Sequence, residues 1–565
     1  YYFDFKLDTL KTSSNKLIIN IYAFNKNDEE RFEIKTIKKV LMVFENDIKT
    51  QELSNEIVDD SIHFFLNSYP INTPILAKNI TVRPGDVFSQ LELENTYNKL
   101  IEFPIFKFID IQYLPSENDS LKGLDMVINV RTGFRQSFTI EPQGLLSQLN
   151  RLQTVSTANS YGVANNITWS HRNLFRNGEQ FNISSVTRAE VQAEYKNKTF
   201  TFASGSTSIQ QSLNMSLLIP KSFFLNQLEF NPKVKSVRTN LNLSLLYEKN
   251  PDYSRKIIPI TYQYIIKSKN TNWFLNVTEV SFSRNLLSSQ INLNGRKDSV
   301  FIRQLFSSNL VTSSGLSFIY SNQNTTKSNT FFFVRSNALE FGGNIHRLVR
   351  RAIDSKKDKD TSYQLFDVNY FQYAKSEIDA RCSTIIDENN SLAFRINAGI
   401  AFPYTNQKIL PFDKLFFIGG SNSLRAWRPR TIGPGSFNDS NNNFRIDRAG
   451  DIIFQASGEF RFDLIDKFLE LGLFVDAGNI WLSRTNANTI TSKVFKKENF
   501  YKELAVNTGI GFRFDFQFFL FRLDWGWQVK NPEKPEKERL VINNLFKKRY
   551  INEYTLLNFG IGYPF

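Results

Sequence analysis

The sequence predicts a mainly β fold: a transmembrane antiparallel β-barrel of about sixteen strands, preceded by a smaller α/β module. Three observations lead there. The 565 residues include 54 Phe, 21 Tyr and 6 Trp, yet the mean hydropathy is only −0.32; that combination suits strands with one apolar face better than packed helices. No run of about 18 apolar residues occurs, so no transmembrane helix is written into the chain. From about Gly133 onward apolar and polar residues alternate in segment after segment.

Residues 1–131 read differently, as a soluble α/β module. Tyr2 to Leu7 and Lys16 to Tyr22 look like two strands, the tail of a preceding domain over residues 1–28. A second domain, residues 29–131, opens with a strand over Phe32 to Phe44. Arg83-Pro84-Gly85-Asp86 makes a turn, and Ser89 with Glu92 fits the S-x-x-E capping box. The helix after it puts Leu93, Tyr97, Leu100 and Ile101 on one face. Strands over Phe106 to Leu114 and Leu124 to Val130 complete the unit; in the second, Leu124, Met126, Ile128 and Val130 alternate with Asp125, Asn129 and Arg131. That order predicts a small sheet with helices on one face.

Residues 132–565 carry the barrel pattern. Leu392, Phe394, Ile396, Ala398, Ile400 and Phe402 oppose Ala393, Arg395, Asn397 and Gly399. Phe454, Phe460, Phe462 and Leu464 oppose Gln455, Ser457, Glu459, Arg461 and Asp463, and Leu504 to Asp515 divides in the same way. A soluble sandwich also alternates. Here, however, the apolar parity runs close to the roughly 9–11 residues of a tilted membrane strand, and the other parity is rich in Gly, Asn, Arg and Asp, which suits a wet lumen. Connections alternate between short ones (Leu464 to Lys467) and long charged ones (His346 to Thr361, Leu482 to Lys502, Lys530 to Arg549), as in outer-membrane barrels. Closure would leave no unpaired edge in hydrocarbon. Candidate segments fall near residues 135, 158, 180, 206, 237, 257, 272, 308, 329, 364, 391, 451, 468, 504, 517 and 554.

Between the eleventh and twelfth segments lies a long loop, residues 404–450, centred on LPFDKLFFIGGSNSLRAWRPRTIGPGSF. Gly419-Gly420 and Gly433-Pro434-Gly435 mark chain reversals. Around Trp427 stand Arg425, Arg428 and Arg430, which need carboxylates or phosphates because guanidinium stays charged in any protein site.

This loop resembles that of the BamA/TamA family of outer-membrane assembly proteins, in which a Val-Arg-Gly-Phe/Tyr motif on the loop after the eleventh strand lies inside the barrel. The matching residues are Leu424, Arg425, Ala426 and Trp427, with Gly419 and Gly420 before them; Ala426 departs from the motif's glycine. The resemblance implies that Arg425 pairs with acidic residues on the twelfth and thirteenth strands, here Glu459 and Asp476. It also implies that the N-terminal module is a periplasmic POTRA domain, on the phrase VRPGDVFSQLELENTYNKLIEFPIFKFIDI. The last residues, NFGIGYPF, fit the family's C-terminal β-signal through Asn558, Gly560, Tyr563 and Phe565. Asn173-Leu174-Phe175 with Gly178-Glu179 is similar to a family turn. The phrase FIGGSNSLRAWRPRTIGPGSF looks most like TamA-like (TamL) proteins of Bacteroidota.

The implied function is non-enzymatic: helping β-barrel proteins or other envelope cargo into or across the bacterial outer membrane through a weak seam between first and last strands. Implied partners are outer-membrane lipids, unfolded outer-membrane proteins, and a TamB-like inner-membrane-anchored protein or accessory lipoproteins. A gated or passive channel, such as a two-partner-secretion-like transporter, is the alternative. No P-loop spelling occurs, no cofactor is implied, and the histidines His63, His171 and His346 have no metal spacing. The lone Cys382 excludes an internal disulfide. Because Tyr1 is not Met and no charged, apolar leader precedes it, any signal peptide or lipid anchor is expected to lie outside this chain. The formal charge of +14 is matched to anionic lipid rather than to nucleic acid.

Overall fold

The computed structural model describes residues 2–7, 19–24, 34–45, 56–65, 71–116, 119–147, 159–196, 199–221, 224–225, 228, 234–249, 253–287, 307–323, 329–344, 364–365, 368–404, 407–438, 448–465, 468–483, 491–545 and 548–564. The charged connection expected over His346 to Thr361 lies outside the described residues. The chain divides into two compact units: Tyr1–Arg135 with Arg172–Glu179, and Gln136–His171 with Gln180–Phe565.

In the first unit Tyr2–Leu7 and Ile19–Phe24 pair with each other as an antiparallel ribbon. A five-stranded sheet follows, ordered Glu56–Asp59, Ile62–Phe65, Thr36–Glu45, Asp119–Thr132, Phe106–Ser116. Its central strand is parallel to both neighbours, which demands crossover connections. The helices α1 (Thr73–Asn79) and α2 (Gln90–Leu100) lie in the longer crossover. Val40, Met42, Ile128 and Val130 pack with Leu76 and Leu100 in the core. Ser89 caps α2, its Oγ accepting from Glu92 N at 3.4 Å.

The face of α2 differs from the sequence reading. Tyr97 and Ile101 are exposed, while Thr96 is fully buried beside Leu100. Thr96 is tolerated there because its Oγ1 accepts from Thr81 N at 3.1 Å and meets the Thr81 hydroxyl at 2.8 Å, so no buried polar atom is left unpaired. The strands Glu56–Asp59 and Ile62–Phe65, four residues each, are too short for alternation to register.

The second unit is a large antiparallel sheet. Among the described residues its sixteen long strands are β1 (Gln136–Ser147), β2 (Asn159–Arg172), β3 (Gln180–Lys196), β4 (Thr199–Ile219), β5 (Val234–Lys249), β6 (Tyr253–Ser268), β7 (Thr271–Leu287) and β8 (Asn309–Ser321). Then come β9 (Thr330–Gly342), β10 (Tyr373–Ile385), β11 (Asn390–Pro403), β12 (Ile452–Ile465), β13 (Leu469–Trp481), β14 (Ala505–Asp515), β15 (Leu520–Lys530) and β16 (Thr555–Ile561). Neighbours in sequence are neighbours in the sheet, and β16 stands next to β1.

Most expected segments start within a few residues of these strands, but the tenth does not. Near residue 364 there is only a two-residue strand, Gln364–Leu365, paired with Val368–Tyr370. The long strand begins at Tyr373 and pairs directly with β9. Its outward row is Ala374, Ser376, Ile378, Ala380, Cys382 and Thr384, too weakly apolar to stand out as alternation. The last strand is also shorter than the sequence suggests: it ends at Ile561, after the helix α3 (Lys548–Tyr554).

Burial in this sheet is reversed relative to an ordinary core. On β11, Phe394, Ile396 and Ile400 are 48%, 51% and 46% exposed, while Asn397 is buried. On β12 the buried row is Ile453, Gln455, Ser457, Glu459 and Arg461. On β14 it is Ala505, Asn507, Gly509, Gly511 and Arg513. The apolar parity therefore faces out, and the polar parity faces a filled interior.

Candidate functional site

What fills that interior begins with the segment between β11 and β12. Gly419 and Gly420 take φ values of +100° and +103°, a region L side chains rarely enter. A Cβ on Gly419 would lie 2.4 Å from the Arg428 carbonyl oxygen. Gly420 N donates to Trp427 O at 2.8 Å, Trp427 N to Leu424 O at 3.0 Å, and Arg430 N to Ile418 O at 2.9 Å. These bonds close a compact knot that points Leu424, Ala426 and Trp427 into one apolar cluster with Ile418, Ile432, Ile453 and Ile480. The loop thus has its own core, completed by inward residues of β12 and β13.

Arg425 sits at the centre, 1% exposed. Its Nε and Nη2 each donate to Asp476 at 2.9 Å, and Nη1 donates to Glu459 at 2.5 Å. Its guanidinium also lies 3.5 Å from the centre of the Phe474 ring, so the charge meets two carboxylates and a π face at once. Burial by itself disfavours the Arg425 charge; the carboxylates of Asp476 and Glu459 outweigh it and raise the pKa above arginine's ordinary value.

The acids are held in turn. Arg461 Nε and Arg513 Nη2 donate to Glu459 Oε1 at 2.7 and 2.8 Å, and Asn507 Nδ2 donates to Asp476 at 2.8 Å. Looser pairs extend the cluster: Arg513 to Asp524 at 3.3 Å and Arg522 to Asp524 at 3.2 Å. Register explains the convergence, because Ser457 faces Asp476 and Asp476 faces Asn507 across neighbouring strands. Among the described residues no group of His, Cys, Asp and Glu is placed to hold a metal ion.

The knot also reaches the last two strands. A Cβ on Gly526 of β15 would lie 3.0 Å from Ala426 N and from the Arg425 carbonyl. Ala426 keeps a negative φ, so the close approach is accommodated by Gly526 rather than by a glycine at 426. Gln528 Nε2 donates to Ala426 O at 3.1 Å. Asn558 of β16 donates to Arg425 O at 2.7 Å. Asn422 takes bonds from Arg395 on β11 at 2.7 Å and Arg522 on β15 at 2.8 Å. Side chains of β11, β12, β13, β15 and β16 therefore grip one loop.

The Omp85 superfamily domain matches residues 150–565. The chain belongs to the Omp85 superfamily. In fold it is similar to BamA from Haemophilus ducreyi lacking POTRA domains 1–3, at 12% identity and a TM-score of 0.55, over 94% of this chain and 86% of that one. CdiB from Acinetobacter baumannii shares 12% identity at a TM-score of 0.48, over 99% of this chain and 77% of that one. As an Omp85 protein the chain is a bacterial outer-membrane protein of the insertion or translocation kind.

In this Omp85 chain the residues of the C-terminal signal are placed as follows. At Gly560 of β16 a Cβ would lie 2.7 Å from the Arg522 guanidinium, so glycine makes room for that arginine. Gly562 lies beyond the strand with φ +78° and donates to Leu520 O at 2.8 Å. The turn there takes Tyr563 out of the outward row of Leu557, Phe559 and Ile561. Its hydroxyl donates to Glu470 at 3.3 Å, and Arg461 lies 4.3 Å from its ring. Pro564 is past the ladder, and Phe565 lies outside the described residues.

The arginines divide. Arg430 lies 4.1 Å over the Phe417 ring, so an aromatic face takes the place of the carboxylate that the sequence reading required. Arg461, Arg513 and Asn507, which hold the acids, are not part of the motif that the loop displays. The signal for them was present: they share the polar parity of Glu459 and Asp476. Turn residues Asn173 and Gly178 adopt positive φ, and Gly178 N donates to Asn173 Oδ1 at 2.9 Å.

Proposed function

We propose that the chain is an outer-membrane assembly or translocation factor: its large sheet is a transmembrane barrel closed between β1 and β16, and that closure opens to receive client strands. The N-terminal unit is then a periplasmic POTRA domain (29–131) after the tail of another (1–28), and residues 404–450 are a lumenal loop. Clients are unfolded outer-membrane proteins or other envelope cargo. A TamB-like anchored protein or accessory lipoproteins would work beside it.

One observation carries the reading. The closing strand β16 is seven residues long and pairs with β15 over seven positions, while β13 and β14 pair over ten. A short strand contributes fewer ladder bonds, and an edge freed there can take up another strand. The outward apolar rows of β11 to β14 favour a bilayer around the sheet, and closure leaves no edge in hydrocarbon.

Disulfide locking tests the proposal. In a Cys382→Ser background, cysteine pairs scanned along Gln136–Gln143 against Thr555–Ile561 should crosslink. The crosslinked protein should stop inserting client barrels in cells depleted of the native copy, and reduction should restore insertion. A locked protein that still inserts clients would falsify the gating seam and leave a gated or passive pore, which single-channel conductance would then measure.

A further inference from the structure

Of the segment between β13 and β14, Ser492 and Lys493 meet the interior loop, Ser492 O accepting from Ser436 N at 3.1 Å and Lys493 lying 3.8 Å over the Phe437 ring, whereas Phe495, Lys497 and Phe500 lie beside outward residues of the neighbouring strands. Leu482 N donates to Lys493 O at 2.8 Å and Phe495 N to Leu482 O at 2.9 Å, which pins Phe495 beside the end of β13. Phe495 meets Trp481 edge-on with centroids 5.5 Å apart, and Phe500 follows at 6.2 Å. By alternation Trp481 belongs to the outward row of β13 with Leu473 and Val475, both exposed, yet Trp481 is fully buried. Phe495 is packed against it. Next to these residues the outward rows of three more strands continue through Ile378, Ile400 and Phe454. Together they line a cavity of about 410 Å³ that Lys497 also borders, with Lys496 exposed beside it.

A volume of that size falls in the usual range of ligand sites. The exposed lining is mostly apolar, with Ser376, Glu377 and Lys497 as its polar members, so a sugar or nucleotide would leave polar groups unpaired, and water would find few partners. A long apolar chain ending in an anion satisfies both the walls and the lysine. We propose that this cavity holds one acyl chain of a phosphate-bearing anionic lipid, with its headgroup against Lys497. The inference rests on the barrel reading above, since only a bilayer brings acyl chains along this wall.

Native mass spectrometry of the full chain in mild detergent, with equal phosphatidylglycerol and phosphatidylcholine added, tests it. The expected result is one retained lipid, with phosphatidylglycerol preferred. Ala398→Phe, an outward substitution that fills the cavity floor, should remove the adduct of both lipids while heat-modifiable gel mobility stays unchanged. Lys497→Ala should keep the adduct and lower the preference for phosphatidylglycerol about fivefold, as expected for one lysine at a lipid surface. A lipid count unaffected by Ala398→Phe, or a preference unaffected by Lys497→Ala, overturns the assignment. So does a dimer that Ala398→Phe dissociates, since that gives the face to a second copy. A chain that retains no lipid of either kind overturns the barrel reading together with this one, and is told apart by the wild-type protein alone.

Discussion

Strand Thr36–Glu45 of the N-terminal unit and β11 of the large sheet alternate in the same manner and bury opposite sets. In the first, Val40, Met42 and Phe44 are at most 4% exposed. In the second, Phe394, Ile396 and Ile400 are about half exposed, and Asn397 is 6% exposed. Alternation fixes which residues share a face, because side chains repeat every two residues. It does not fix which face is inside. The N-terminal sheet has apolar residues of α1 and α2, Leu76 and Leu100, in its core. The large sheet has the loop's Arg425 against its polar face, paired with Glu459 and Asp476 of that face, and the loop serves where a hydrocarbon core otherwise would.

If the polar interior depends on that loop, Arg425→Ala should have the largest effect. Removing one partner of a buried pair costs about 3–5 kcal/mol because the survivors are left uncompensated, and here Glu459 and Asp476 both survive. Urea unfolding of protein folded into lipid vesicles, or loss of heat-modifiable mobility, reads it; a change below about 1 kcal/mol would mean that the cluster does not hold the sheet.

Alanine in equivalent parities should then separate the two units. Met42→Ala removes a fully buried side chain and should cost about 2–5 kcal/mol. Ile396→Ala, at an exposed position, should cost under about 1 kcal/mol. Equal losses at the two positions would erase the contrast between the sheets.

A charge sharpens it from the outside. On a lipid face near the bilayer midplane Ile396→Arg should cost about 2–4 kcal/mol, whereas a water-facing strand would accept it with little change. Vesicle unfolding midpoints decide between these. The smallest expected effect is Arg430→Ala, which removes a stacking contact with Phe417 worth about 0.5–1 kcal/mol. A loss as large as that of Arg425→Ala would show that the knot, rather than the ion cluster, anchors the loop.

The sequence by itself determined a good deal of this protein. Strict alternation from Gly133 onward located most of the long strands, since a period of two is a local property. Ser89 and Glu92 marked the start of α2 for the same reason: a cap is built within four residues. The glycine pair at 419–420 and the arginine cluster after it singled out the loop.

Where the pattern was locally weak, as in the small and polar outward row of β10, the sequence misled. The rest was decided only by tertiary structure. Local composition turned the polar parity of β11 to β14 inward, but that it is buried against a loop rather than wetted depends on what lies across the sheet. Arg513 and Asn507 reach the acids that hold Arg425 because strand register brings their side-chain nitrogens within hydrogen-bond range of Glu459 and Asp476, 54 and 31 positions away. Asn558 meets the Arg425 carbonyl across 133 positions of sequence. Gly526 makes way for the loop backbone, and Gly560 for Arg522. Such contacts depend on pairing between distant segments, and no short window of residues contains both partners.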